Sequence, residues 1–141
     1  MVLLLLHHLP VAAQPQPIWK VTLNKKIVLT GSQYDDSTVN QVLVTKKDLT
    51  NNGLFKIEFV DKRISEPNGW IRTLALLESN QTEIAKKDST AELAVPSKDL
   101  LKLLWLRKKL MLYTWSAPAD PAIAAAIRIR RYRICDIILI D

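Results

Sequence analysis

Residues able to do chemistry are sparse in this chain, and their positions exclude more than they allow. The only histidines, His7 and His8, directly follow an apolar run at residues 2–6. That segment reads as a cleavable leader, so the mature chain keeps no imidazole for general-base work or zinc ligation. The single cysteine, Cys135, cannot form an internal disulfide or a cysteine zinc set. A Ser-His-Asp or Cys-His arrangement cannot be assembled. Gly31, Gly53 and Gly69 are the only glycines, each isolated in a turn-like stretch, so no loop can cradle a phosphate through successive backbone amides.

Carboxylates remain. Asp35, Asp36, Asp61, Glu66 and Asp120 all fall in expected loops. A glycosidase would need two of them about 5–9.5 Å apart across a cleft, and 141 residues leave little room for a deep one. They read as solvated loop acids. Asp35 and Asp36, with Ser32 and Ser37, offer oxygen ligands of the kind calcium takes, but without EF-hand spacing they read as a turn. The sequence thus predicts no catalytic residue, no metal site, no cofactor and no enzyme.

Two features point to binding instead. There are four tryptophans: Trp19, Trp70 and Trp115 at expected strand ends, and Trp105 at the end of an expected helix. An exposed indole face can stack on the apolar face of a sugar ring. Large aromatics also fill β-sandwich cores, and for the set as a whole that reading is preferred. Trp70, straight after the turn sequence SEPNG, is the first candidate for exposure, followed by Trp19 and Trp115.

The second feature is IRIRRYRIC at residues 127–135. In a strand, Ile127 and Ile129 face one way and Arg128 and Arg130 the other, and then the alternation breaks. A one-residue bulge at Arg130–Arg131 restores it, with Ile127, Ile129, Tyr132 and Ile134 inside and the arginines outside. The arginines can then pair with Glu58, Glu78 or Glu92 on neighbouring strands. The functional alternative is a basic ridge of Arg128, Arg130, Arg131 and Arg133 for phosphate or sulfate, with Tyr132 for stacking. The net charge of +6 permits it. Yet Lys25–Lys26, Lys46–Lys47, Lys86–Lys87 and Lys108–Lys109 are scattered doublets. The solvent-face reading is preferred, and anionic cell-surface glycans or lipid head groups rank ahead of nucleic acid as partners.

The elements that position these residues follow from periodicity. Residues 1–13 read as a signal peptide, with small residues near Ala13 for cleavage, although no positive charge precedes the apolar run. Residues 14–17, QPQP, are an extended lead-in. Residues 18–141 form one domain, expected outside the cytoplasm, in a chain whose 48% apolar content suits a packed core. No apolar run approaches the ~18 residues of a membrane span. Alternation predicts strands near 18–23, 27–30, 40–45, 54–60, 70–79, 91–95, 109–115 and from 127 onward. One short helix is expected near 97–106, capped by Ser97, with Leu100, Leu101, Leu103 and Leu104 at helical spacing. Cys135, among isoleucines, should be buried. Asn80-Gln81-Thr82 is a glycosylation sequon, meaningful only in a eukaryotic secretory pathway. A short internal match, VTKKDL from Val44 and VPSKDL from Val95, hints at two related halves.

The sequence therefore predicts a mainly β protein, an antiparallel β-sandwich of immunoglobulin-like or jelly-roll kind with one short helix. The expected function is an exported, non-catalytic binding or interaction module. A carbohydrate-binding module using exposed tryptophan and a polyanion or nucleic-acid binder using the arginine strand are the alternatives.

Overall fold

The computed structural model describes residues 18–31, 39–60, 66–88 and 90–141. The expected leader and lead-in, the Asp35–Asp36 loop and Asp61 lie outside the described residues. The elements run β1 (Trp19–Leu23), β2 (Lys26–Gly31), β3 (Gln41–Val44), α1 (Lys46–Leu49), β4 (Leu54–Phe59), β5 (Trp70–Leu77), β6 (Glu83–Asp88), β7 (Glu92–Pro96), α2 (Ser97–Arg107), β8 (Lys109–Pro118), α3 (Pro121–Ala126) and β9 (Tyr132–Leu139).

The protein is a two-sheet β-sandwich. One sheet has the order β2-β1-β4-β7 and the other β3-β9-β8-β5-β6. The alternation that marked the strands also makes the core. Trp19, Val21 and Leu23 of β1 and Phe55 and Ile57 of β4 meet Leu74 and Leu76 of β5 and Leu110 and Leu112 of β8. Burying each such aliphatic side chain stabilises the fold by roughly 1.5–3 kcal/mol. All described strand pairs are antiparallel except β3–β9, which is parallel, with Gln41 beside Asp136 and Val44 beside Leu139. β3 reaches that edge from a distant part of the chain, so no tight hairpin dictates its direction.

The expected helix is α2, but its cap differs. Pro96 occupies the N-cap and makes no side-chain cap bond. Ser97 is instead the first helical residue and is fully buried, its hydroxyl donating to Asn24 Oδ1 at 2.8 Å. Two further short helices, α1 and α3, stand beside the one expected. In α1, Thr45 and Asp48 form a capping box, each side chain accepting from the other's backbone N–H. In α3, Asp120 Oδ1 accepts from Ala122 N and Pro121 opens the helix, with its fixed φ already suited to that position. The two repeat segments occupy matching places. VTKKDL runs from β3 into α1 and VPSKDL from β7 into α2, with Val44, Leu49, Val95 and Leu100 all buried. Both helices close the same end of the sandwich.

The polar stretch after residue 80 forms β6, an edge strand. Its charges at Glu83, Lys86, Lys87 and Asp88 discourage pairing with another sheet. β5 and β8 are apolar on their outer faces as well. Ala75, Leu77, Met111 and Trp115 make a second buried cluster, against which Ile129 packs. The β8–β9 connection therefore acts as a strap over the outside of this sheet.

Gly31, at the end of β2, lies under the Trp19 ring, where an added Cβ would sit 2.1 Å from an indole carbon. The Gly31→Ala variant should therefore displace Trp19 from the core and destabilise the protein by about 1–3 kcal/mol in urea unfolding monitored by circular dichroism. An unchanged midpoint would show that the ring has room to move.

Candidate functional site

At the end of the sandwich opposite α1 and α2, the two sheets part to leave a mouth. Phe59 ends β4, Trp70 and Arg72 begin β5, and Thr90 and Ala91 lead into β7. Together with Glu66 and Ile71 they line a cleft of about 350 Å³. Its position follows from strand phase. Trp70 and Arg72 continue the inward row of Leu74 and Leu76, and Phe59 continues that of Phe55 and Ile57. Where the apolar rows run out, the inward positions line the cleft.

The turn before β5 sets Trp70. Its N–H donates to Pro67 O at 2.9 Å, Gly69 adopts φ +80°, and Ala119 N donates to Gly69 O at 2.8 Å. Arg72 forms the polar floor. Its Nε donates to Glu66 Oε1 at 2.6 Å, and its Nη1 donates to Thr114 Oγ1 at 3.0 Å. Its guanidinium carbon lies 4.4 Å over the centre of the Phe59 ring. The Ser116 hydroxyl donates to the other Glu66 oxygen, Oε2. Glu66 and Arg72 thus neutralise each other at the boundary between core and solvent. Trp70, partly exposed, forms a wall beside them.

The other proposed binding residues are not gathered here. Trp19 is 3% exposed and Trp115 is 8% exposed, so neither offers a free ring face to a ligand. Trp19 falls on the inward side of β1, between β2 and β4. Trp115 points to the outer face, where the strap covers it and the Arg131 guanidinium stacks 4.4 Å from its ring centre. Trp105, named in sequence only as the end of the helix, is 46% exposed.

The arginine segment also differs from its expected form. Residues 127–131 are not strand, and β9 begins at Tyr132. The bulge is not at Arg130–Arg131. Leu112 pairs with Cys135 and Tyr113 with Arg133, which leaves Ile134 as the extra residue. Ile134 and Cys135 consequently both enter the core. Ile127 is 40% exposed rather than inside. Of the three expected acidic partners, Glu58 is engaged by Lys20 at 3.2 Å and Glu78 by Arg107, while Glu92 makes no ion pair with an arginine among the described residues. Arg131 instead meets Glu83 of β6 at 3.2 Å. Arg133 donates from Nε to Asp136 Oδ1 at 2.8 Å, and Asp136 is 3% exposed. That bond holds the Arg133 guanidinium above its ordinary value, against the opposing effect of burial. Arg130 stacks on Tyr132 at 4.7 Å. Arg128 and Arg130 are exposed, and with Ile129 and Arg131 they border an open concavity of about 560 Å³.

Among the described residues, no group of three His, Cys, Asp or Glu side chains is placed to hold a metal ion. Compared with known proteins, the chain matches no family model, no curated protein and no solved structure.

Cys135 is fully buried, and burial pushes its thiol far above the ordinary range, with Asp136 adding to the shift. At pH 8 the folded protein should therefore leave a disulfide reagent such as dithionitrobenzoate unreacted over hours. Unfolding in urea should release one reactive thiol per chain. Rapid reaction of the folded protein would contradict the burial.

Proposed function

We propose that this protein is a non-catalytic β-sandwich binding module that holds a sugar residue in the cleft at Trp70, and that it acts outside the cytoplasm. The observation that carries this reading is a partly exposed tryptophan beside a fixed Glu66–Arg72 pair in an open mouth. A pyranose has an apolar C–H face and a rim of hydroxyls. An indole wall takes the first. For the second, Glu66, held in place by Arg72, offers an acceptor with lone pairs beyond those used by Arg72 and Ser116. The cleft lies at the small end of the range of about 300–1,000 Å³ for small-molecule sites, which suits one ring of a longer glycan.

The same residues argue against hydrolysis. Among the described residues the cleft contains one carboxylate, and it is paired with an arginine. A hydrolytic site needs a second carboxylate to divide acid and nucleophile or base roles. The arginine segment supports a structural part for much of its charge, because Arg131 and Arg133 are engaged with Glu83 and Asp136. The apolar leader sequence of residues 1–13 supports export.

Tryptophan fluorescence titrated across a panel of soluble oligosaccharides tests the site. At least one glycan should perturb the emission saturably, and Trp70→Ala should weaken binding about two- to ten-fold, the cost of losing an aromatic stacking contact. Trp105→Ala should leave the affinity unchanged. A panel without any response, or release of reducing ends from a bound glycan, would overturn the reading. Export is tested separately: intact-mass analysis of the natural protein should place its N-terminus near Gln14, and an unprocessed cytosolic chain would refute it.

A further inference from the structure

The most exposed large apolar side chain among the described residues is Leu106, at 84%. It lies in the last turn of α2, next to the half-exposed Trp105 and at the far end of the sandwich from the Trp70 cleft. Folding does not require this exposure. α2 seats on the core through Leu100 and Leu104, while Lys98, Lys102, Trp105 and Leu106 face solvent. Lys102 precedes Trp105 by three positions and Leu106 by four, so it shares their face of the helix.

Positive charge surrounds the pair. The Lys46 ammonium lies 4.1 Å from the centre of the Trp105 ring, and that of Lys108 lies 4.9 Å away. Lys47 follows Lys46 on α1. None of Lys46, Lys47, Lys102 and Lys108 has an ion-pair partner among the described residues. Three acids at this end are engaged in the fold, whereas Asp99, three positions before Lys102 on α2, stays exposed. Asp48 closes the capping box of α1, Glu78 binds Arg107, and Asp141 Oδ1 accepts from the Lys46 backbone N–H at 2.8 Å.

We propose that this tip, Trp105 and Leu106 ringed by Lys46, Lys47, Lys102 and Lys108, docks on an anionic lipid surface. The match is one of layered chemistry. A bilayer presents anionic head groups above an apolar interior, with an interface that favours tryptophan. The tip presents ammonium groups around an indole, with a leucine projecting beside it. Long lysine stems can keep their charge at head-group level while the apolar pair enters the interface. A soluble acidic partner would satisfy the lysines but not Leu106. An apolar partner would bury Leu106 but leave the ammoniums without counter-charge. Docking by this end points the Trp70 cleft away from the membrane, because the eight residues of β5 separate the two ends, a span of about 25 Å.

Vesicle flotation tests this with the full chain, each variant being compared in the same processed form. The lipids are phosphatidylcholine alone and phosphatidylcholine with roughly one third phosphatidylglycerol, which supplies the negative surface potential that basic clusters sense. The protein should float only with the anionic vesicles, and less so as salt rises. Leu106→Glu should abolish flotation, and its unchanged thermal midpoint would confirm folding. Each of Lys46→Gln and Lys102→Gln should weaken partitioning about five-fold, the effect of one basic residue near an anionic surface. Arg128→Gln and Arg130→Gln together should change it little.

Absence of flotation would overturn the proposal, as would equal flotation of Leu106→Glu or dependence on the arginine pair instead. A concentration-dependent dimer that Leu106→Glu dissociates, without vesicle binding, would also overturn it by giving the tip to a second copy. Loss of glycan binding in Trp70→Ala bears on the cleft alone, so the two readings fail independently.

Discussion

The β5–β8 pair is apolar on both faces, and much of the molecule is arranged around that fact. In β5, Leu74, Ala75, Leu76 and Leu77 are all fully buried. One sheet partner can cover only one side, so the outer face needs its own cover. The connection from β8 to β9 supplies it. Asp120 and Pro121 start α3 immediately after β8, and the chain then returns across the sheet with Ile129 against the outer cluster. Arg131 fastens the strap, stacked over Trp115 and reaching Glu83 on the edge strand β6. Arg128, Arg130 and Arg131 lie outside regular strand because this stretch crosses the sheet before it joins it at Tyr132.

The inner face of the same pair has the opposite problem at its mouth. Its inward row changes from Leu76 and Leu74 to Arg72 and Trp70 on β5, while β8 offers Thr114 and Ser116. A guanidinium only 12% exposed would be costly alone. Glu66 and Thr114 satisfy it, and Phe59 covers its face. An ion pair in this position contributes little net stability, since Coulomb gain and desolvation nearly cancel. Its effect is geometric. Removing either partner would leave the other desolvated without counter-charge, so the pair holds the mouth polar and open.

Strand existence was legible because half-buried strands repeat every second residue, and most of the sandwich follows that rule. The failures have physical causes. β6 was missed because an edge strand needs few apolar residues, and only Ile84 and Ala85 are partly buried there. α1 was missed although Thr45-x-x-Asp48 is a capping signature, because the asparagines and glycine behind it carry a strong turn signal. The bulge was sought where charge interrupted the alternation, at Arg130–Arg131, but it lies at Ile134, where the apolar pattern gives no sign. The cleft was half legible. The turn SEPNG marks Trp70, and the two-residue period of β5 puts Arg72 on the same face. The meeting of Phe59, Glu66 and Thr90 with them depends on how the sheets pack, which no local pattern encodes.

The antiparallel register also explains why the two ends of the sandwich differ. β5 begins at the cleft and ends at Leu77, after which Glu78 binds Arg107 at the end of α2. β8 starts from that helix and returns to the cleft, where Thr114 and Ser116 support Arg72 and Glu66. The same two strands therefore anchor both ends, and their mutual pairing over eight residue positions makes them a rigid connection. A ligand at the mouth acts on Glu66 and Arg72, which the strands hold from below, whereas a contact at α2 acts on a helix already wedged by Leu100 and Leu104. Neither end has to move for the other to be occupied. The architecture thus suits the two proposed sites, joined by a stiff spacer, better than it suits a switch that couples them.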